Sequence, residues 1–153
     1  MKLATLCYIE NDGKILMIHR VKKQNDVHEG KWNGLGGKFE AWETPEECAI
    51  REVKEESGFL MKNPTLKGLL TFPEFSKGED WYVFVFKCTE IEGELIEPVE
   101  GNLEWIANEK LLELNLWEGD RYFIPWLERT GFFSAKFVYK DGKLLEHSVI
   151  FYE

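Results

Sequence analysis

The sequence predicts a single mixed α/β domain, and three observations carry that expectation. Two short turns, Asn11-Asp12-Gly13 and Asp141-Gly142, each separate a pair of β-rich runs, and Asn, Asp and Gly tolerate the positive φ of tight hairpin turns. One segment, residues 45–57, has helical periodicity with a start and a stop signal in place. The chain has 153 residues, 44% of them hydrophobic and 14% aromatic, enough for one domain with a real core.

In chain order, KLATLCYIE and KILMIHR form the first hairpin, and a polar loop over residues 24–31 follows. Thr44 can cap the helix with Glu47 closing a capping box, Pro45 fits the first helical position, and Gly58 fits the stop. TLKGLLTF, DWYVFVFKCTE and NLEWIA read as three further strands. In the second of these Trp81, Val83 and Val85 alternate with Tyr82, Phe84 and Phe86, and two apolar faces predict a central strand. Residues 109–129 look helical with interruptions at Gly119 and Pro125, and FFSAKFVYKDGKLLEHSVIFYE closes the chain as a second hairpin. No linker, low-complexity stretch or repeat divides the sequence, so the domain is expected to run over residues 1–153.

Charge narrows the partners. The 28 acids against 19 Lys and Arg give a formal net charge of −9, which argues against a nucleic-acid polymer or an anionic membrane surface. Cys7, Cys48 and Cys88 are widely spaced and odd in number, without a CxxC pair, which points to reduced thiols rather than disulfides or a cysteine zinc site. No apolar run approaches the ~20 residues of a membrane span, and the N-terminus meets an acid and a turn too early for a signal core. A cytoplasmic protein is expected.

The helix poses a charge problem. At about 100° per residue Ala49, Ile50 and Val53 share the arc that packs, while Glu52, Glu55 and Glu56 share the neighbouring arc. Glu55 and Glu56 lie in the last turn, where the helix dipole disfavours negative charge, so intrinsic helix stability does not account for them. Acid-rich helices are commonly solvated faces, and Arg51 has Glu47 and Glu55 at helical pairing distance. Just before the helix, however, WNGLGGK carries Gly34, Gly36 and Gly37, a backbone able to bring bare N–H and C=O groups close to a ligand. Mg²⁺ or Mn²⁺ takes carboxylates, carbonyls, waters and phosphate oxygens, and such a cation would relieve the repulsion.

Gly37, five residues, Glu43, seven residues and then Arg51-Glu52-Val53-Lys54-Glu55-Glu56-Ser57-Gly58-Phe59 resemble the Nudix box at every defined position. Beyond residues 37–59, KWNGLGGK, TFPEF, PVEG with LEW, LWEGDRYFIPW and the closing hairpin look like the MutT-type branch, which hydrolyses oxidised purine nucleoside triphosphates. The resemblance implies the Nudix fold, an α+β arrangement with a mixed β-sheet sandwiched between helices. It implies hydrolysis of a nucleoside triphosphate such as 8-oxo-dGTP to the monophosphate and pyrophosphate, with Mg²⁺ (Mn²⁺ as substitute), in nucleotide-pool sanitation and DNA repair.

Carried onto this chain, the resemblance makes Glu52, Glu55 and Glu56 metal ligands, one of them also activating water, with the carbonyl of Gly36 or Gly37 completing the shell. Arg51 would hold a box glutamate, Glu43 would support the loop, Lys38 would reach phosphate, and Glu100, with Glu104 as the other candidate, would supply a further acid. Asn33, Trp117 and Asp120 would recognise the base with Phe72 as a stacking wall. Gly119 departs from the two adjacent acids of the vertebrate-type pocket and leaves one carboxylate for a guanine-like edge. Arg20 is either a substrate contact or a solvated edge charge, and His19, His28 and His147 receive no role.

Two other readings stand beside this one. A Nudix pyrophosphohydrolase acting on ADP-ribose or a dinucleoside polyphosphate would keep the same box. A non-catalytic Nudix-fold binding module would tend to lose box glutamates, which this chain keeps. The expected partner is a small nucleotide, taken up by a monomer or a homodimer.

Overall fold

The computed structural model describes residues 1–20, 30–97 and 101–153; the expected polar loop therefore lies largely outside the described residues. The elements are β1 (Lys2–Asn11), β2 (Lys14–His19), β3 (Trp32–Asn33), α1 (Pro45–Ser57), β4 (Leu60–Lys62), β5 (Thr65–Ser76), β6 (Glu79–Cys88), β7 (Glu90–Glu92) and β8 (Asn102–Ala107). A 3₁₀ turn (Asn108–Glu113), α2 (Asp120–Trp126), β9 (Phe132–Lys140) and β10 (Lys143–Tyr152) complete the chain. One eight-stranded sheet runs β10-β9-β5-β6-β1-β2-β3 with β8 also on β2, and β4 pairs with β7 in a small second sheet. β1 lies parallel to β6 and β5 parallel to β9, while β5 is antiparallel to β6, so the sheet is mixed as expected.

Local chemistry explains the hairpins. Asp12-Gly13, Lys77-Gly78 and Asp141-Gly142 all have φ between 51° and 77°, the doubly positive turn whose twist matches that of paired strands. The Lys77-Gly78 turn joins β5 to β6 and carries no Asn or Asp to announce it.

Alternation along β1 builds the two sides. Cys7 and Ile9 pack with Ala49 and Val53 of α1, whereas Ala4 and Tyr8 pack with Phe123 and Ile124 of α2. β6 does the same, with Val83 and Val85 on the α2 side and Phe86 and Cys88 on the α1 side. It is an interior strand, as its two apolar faces predict. The three cysteines are buried and free. Among the described residues no helix is long and apolar enough to cross a membrane.

The break in residues 109–129 ends at Gly119, as expected, but begins earlier, at Leu114. Leu114 adopts extended backbone (φ −71°, ψ 162°) after the 3₁₀ turn, and the helix resumes only at Asp120. Pro125 lies inside α2 rather than interrupting it. It has no N–H to donate to the Arg121 carbonyl four residues earlier, so the last turn of α2 lacks that bond.

One detail of the sheet positions everything that follows. β1 pairs with β2 only at Glu10↔Ile15 and Asn11↔Lys14, and the strands then part. The glycine loop takes the vacated edge of β1. Leu35 exchanges backbone hydrogen bonds with Cys7 (2.6 and 3.1 Å), Thr5 N–H donates to the Gly37 carbonyl (2.8 Å), and Phe39 N–H donates to Leu3 (3.0 Å).

Candidate active site

α1 forms where its local signals place it. Thr44 Oγ1 accepts from Glu47 N–H (3.0 Å), Glu47 Oε1 accepts from Thr44 N–H (2.9 Å), and Gly58 closes the helix at φ 85°. With Ala49 and Val53 fixed against the sheet, the acidic arc turns towards the glycine loop. Glu56 Oε1 accepts from Gly36 N–H at 2.7 Å, and its other oxygen lies 3.7 Å from Arg20. Arg20 is thus drawn to the acids rather than to open solvent.

Gly36 and Gly37 are glycines for different reasons. Gly36 has φ 141°, and a Cβ there would overlap the Thr5 carbonyl of β1. At Gly37 a Cβ would meet the Glu52 carboxylate, with its oxygens 2.5 and 2.7 Å away. The absent side chain is the space Glu52 occupies.

Arg51 ties the acids together. Its Nε and Nη2 grip Glu43 as a fork (2.6 and 2.9 Å), Nη1 donates to Glu52 (2.9 Å) and reaches Glu55 (3.3 Å), and Nη2 also donates to the Lys38 carbonyl (3.0 Å). The Arg51 fork and the Glu40 N–H hold the Glu43 carboxyl down at about 2. A depressed carboxylate adds stability above its ordinary range near 4.5 and loses it as pH falls towards 2, so this clamp is intact at neutral pH.

Among the described residues no three acids already form a metal cage. The donor set nevertheless suits a hard divalent cation, because Glu52 and Glu56 meet successive glycines and Glu55 is exposed beside them. Such ions use one or two carboxylates and take their other oxygens from water and phosphate. The Gly37 carbonyl already accepts from Thr5. Glu100 lies outside the described residues, and Glu104 stands exposed on β8, facing away from Leu103 and Trp105, which pack on the α1 side.

The second half of the site is aromatic. The Lys38 ammonium sits 5.6 Å over the Trp81 ring, and Trp81 is the strand partner of Phe72. Phe72 contacts Phe75, Phe137 and Tyr139 at ring separations of 5.3 to 6.3 Å. Trp117 meets Phe75 and Tyr139 edge-on at 5.2 and 5.3 Å, with Lys31 over its face. Of these, Phe75, Trp117 and Tyr139 line a cleft of about 540 Å³, together with Pro73, Glu74 and the turn between β9 and β10. Gly119 N–H donates to the Tyr139 hydroxyl (2.6 Å), and a Cβ at Gly119 would lie 2.8 Å from that oxygen and 2.9 Å from Phe137. The space a second acid would need is filled by β9.

Asp120 is buried, and burial raises its carboxyl to about 8 despite the charges of Lys31 and Arg121. A folded value raised above the ordinary 3.8 contributes stability that is complete below 3.8 and is lost as pH rises to about 8. Melting temperature should therefore fall between these limits in the wild type and fall less in Asp120→Asn. Parallel melting profiles of the two proteins would show that Asp120 is ionised throughout.

The profile of the NUDIX domain matches residues 1–127. The chain belongs to the Nudix family. Over 149 residues this Nudix hydrolase is 30% identical to the oxidized purine nucleoside triphosphate hydrolase of Danio rerio, covering 97% of this chain and 94% of that one. The crystal structure of a MutT protein from Bacillus halodurans superposes with a TM-score of 0.87 at 32% identity, covering 97% of each chain. An ADP-ribose pyrophosphatase of Methanocaldococcus jannaschii is 38% identical over 87 residues, 57% of this chain and 50% of that protein.

In this Nudix hydrolase the structure brings Glu52, Glu55, Glu56, Arg51, Glu43, Gly36 and Gly37 together, and separately sets Trp117 and Asp120 near Lys31, with Phe72 linked to Trp117 through Phe75 and Tyr139. Sequence reasoning missed Lys31, Phe75 and Tyr139. Lys31 stands two residues before Asn33 in the same KWNGLGGK segment, whereas Tyr139 arrives from β9 with no local signal.

Proposed function

We propose that this Nudix hydrolase cleaves an oxidised purine nucleoside triphosphate, 8-oxo-dGTP above all, to the monophosphate and pyrophosphate, as a Mg²⁺-dependent cytoplasmic enzyme of nucleotide-pool sanitation. The observation that carries this reading is the pairing of an acidic helix face, locked onto a glycine loop, with a buried Asp120 that keeps its proton to about pH 8.

Glu52, Glu55 and Glu56 would hold the cation, with the Gly36 carbonyl as the better backbone candidate because that of Gly37 already accepts from Thr5. Glu100 remains the proposed further acid. Bound Mg²⁺ would neutralise charge on the polyphosphate and on the attacking water's oxygen. Arg51 keeps Glu52 and Glu55 oriented from its anchor on Glu43. Lys38 and Arg20 supply the local positive charge that a chain of net charge −9 needs to receive a polyanion. Asn33 and Asp120 would read the base edge while Phe72 and Trp117 stack. A protonated carboxyl both donates and accepts, which suits an edge presenting a carbonyl and an N–H side by side.

With Mg²⁺ present, kcat/KM for 8-oxo-dGTP should exceed that for dGTP by about tenfold or more, and Asp120→Ala should erase most of that ratio. Trp117→Ala should weaken all nucleotides more evenly, since stacking is indifferent to base identity. Equal efficiency on the two nucleotides, or faster turnover of ADP-ribose, would remove the sanitising role. ADP-ribose is the second reading, favoured only by the partial match to the archaeal pyrophosphatase, which spans half of that protein.

A further inference from the structure

An unbroken strand sends alternate side chains to opposite faces, so residues three apart cannot share one. Phe72 and Phe75 of β5 break that rule. Their rings lie 5.3 Å apart, and both meet Tyr139, at 6.3 and 5.6 Å. Phe75 also meets Trp117 edge-on at 5.2 Å.

The register against β6 supplies the reason. Phe72 pairs with Trp81 and Ser76 with Glu79, so Pro73, Glu74 and Phe75 together stand opposite Asp80 alone. The surplus residues make a bulge that re-aims Phe75 to the side of Phe72. Pro73 brings no N–H to this gap in the ladder, and at Glu74 the chain turns with φ 45°. That left-handed value favours glycine, yet the chain has glutamate there. The Glu74 N–H, which has no partner in the strand register, donates to Asp80 Oδ1 at 2.9 Å. The one residue facing the bulge thus supplies the bond that the strand pairing has lost.

We infer that Asp80 is a positioning residue of the base side: through Glu74 it holds the bulge that sets Phe75 against Trp117, and so keeps that ring in place for a nucleotide. The inference rests on the reading of Trp117 as a stacking ring. Asp80 stands exposed on the hairpin, acts through the bulge and needs no contact with substrate. Its effect falls on affinity rather than on chemistry at phosphorus, and equally on every base, since stacking is indifferent to base identity.

Steady-state kinetics with Mg²⁺ on 8-oxo-dGTP and dGTP test this in Asp80→Ala, Asp80→Asn, Phe75→Ala and Asp80→Ala combined with Phe75→Ala. Asp80→Ala should raise KM for both nucleotides about fivefold, the factor that one ordinary hydrogen bond supplies, with kcat within about twofold of wild type. Asp80→Asn keeps an acceptor oxygen and should return KM to within about twofold of wild type. Charge alone predicts the opposite pattern, because either substitution removes an acid from the approach of a polyanion and would lower KM. In the Phe75→Ala background Asp80→Ala should add nothing, because the ring that the bulge aims is already gone. Multiplying effects in the double variant, or an unchanged or lower KM in Asp80→Ala, overturn the inference alone when Trp117→Ala still raises KM. A fall in kcat and melting temperature with KM unchanged would make Asp80 a support of the fold only, and overturns it too. If Trp117→Ala leaves KM unaltered, the stacking reading fails and the inference goes with it.

Discussion

Glu56→Gln and Glu52→Gln should each lower kcat by about 10²-fold or more at saturating Mg²⁺, because each removes negative charge from the group proposed to hold the cation against developing phosphate charge. The fold should survive both changes. Glu56 Oε1 accepts from Gly36 N–H, and glutamine keeps an oxygen able to do the same. Mg²⁺ should raise the wild-type melting temperature, since a cation that binds only the folded state stabilises it by mass action. That shift should shrink in Glu55→Gln combined with Glu56→Gln. Near wild-type turnover in both single variants would remove these carboxylates from the reaction, and an undiminished metal shift in the double variant would place the cation elsewhere.

The second large effect separates two neighbouring glycines. Gly36→Ala should destabilise the protein by about 3 kcal/mol or more, because the new methyl overlaps backbone of β1 and the residue sits at φ 141°. Strand backbone cannot move aside without loosening the Leu35–Cys7 and Thr5–Gly37 hydrogen bonds. Gly37→Ala meets instead the tip of a flexible side chain, which can swing away. Its melting temperature should change little while kcat falls about tenfold or more, since the displaced group is Glu52. Denaturant melts and steady-state kinetics on the same two preparations test the contrast. Equal stability losses in the two variants would show that the loop, not the carboxylate, yields at Gly37.

What could be read from the sequence was what local chemistry specifies. α1 was legible to the residue because Thr44, Pro45, Glu47 and Gly58 each do at the helix ends what their side chains do in any helix. β3, β4 and β7 were not, because strands of two or three residues carry no periodicity. The acidic arc was legible from spacing alone, and so was the pairing of Arg51 with Glu55. The fork from Arg51 to Glu43 was expected only in outline, and it takes a folded loop to show that one guanidinium serves Glu43, Glu52, Glu55 and the Lys38 carbonyl. The aromatic side was least legible. Tyr139 and Phe75 meet Trp117 because β9 pairs in parallel with β5, a register decided by long-range packing. The same contact explains Gly119, which the sequence presents only as a missing acid.

The insertion of residues 35–39 along β1 has a dynamic consequence. Catalytic loops are commonly drawn from the least stable parts of a fold and open by themselves. Here the loop shares its backbone hydrogen bonds with an interior sheet strand, so its amides at Leu35 and Phe39 should exchange with solvent as slowly as those of β1. Fast exchange at Leu35 and Phe39 while the β1 amides stay protected would show that the loop opens by itself.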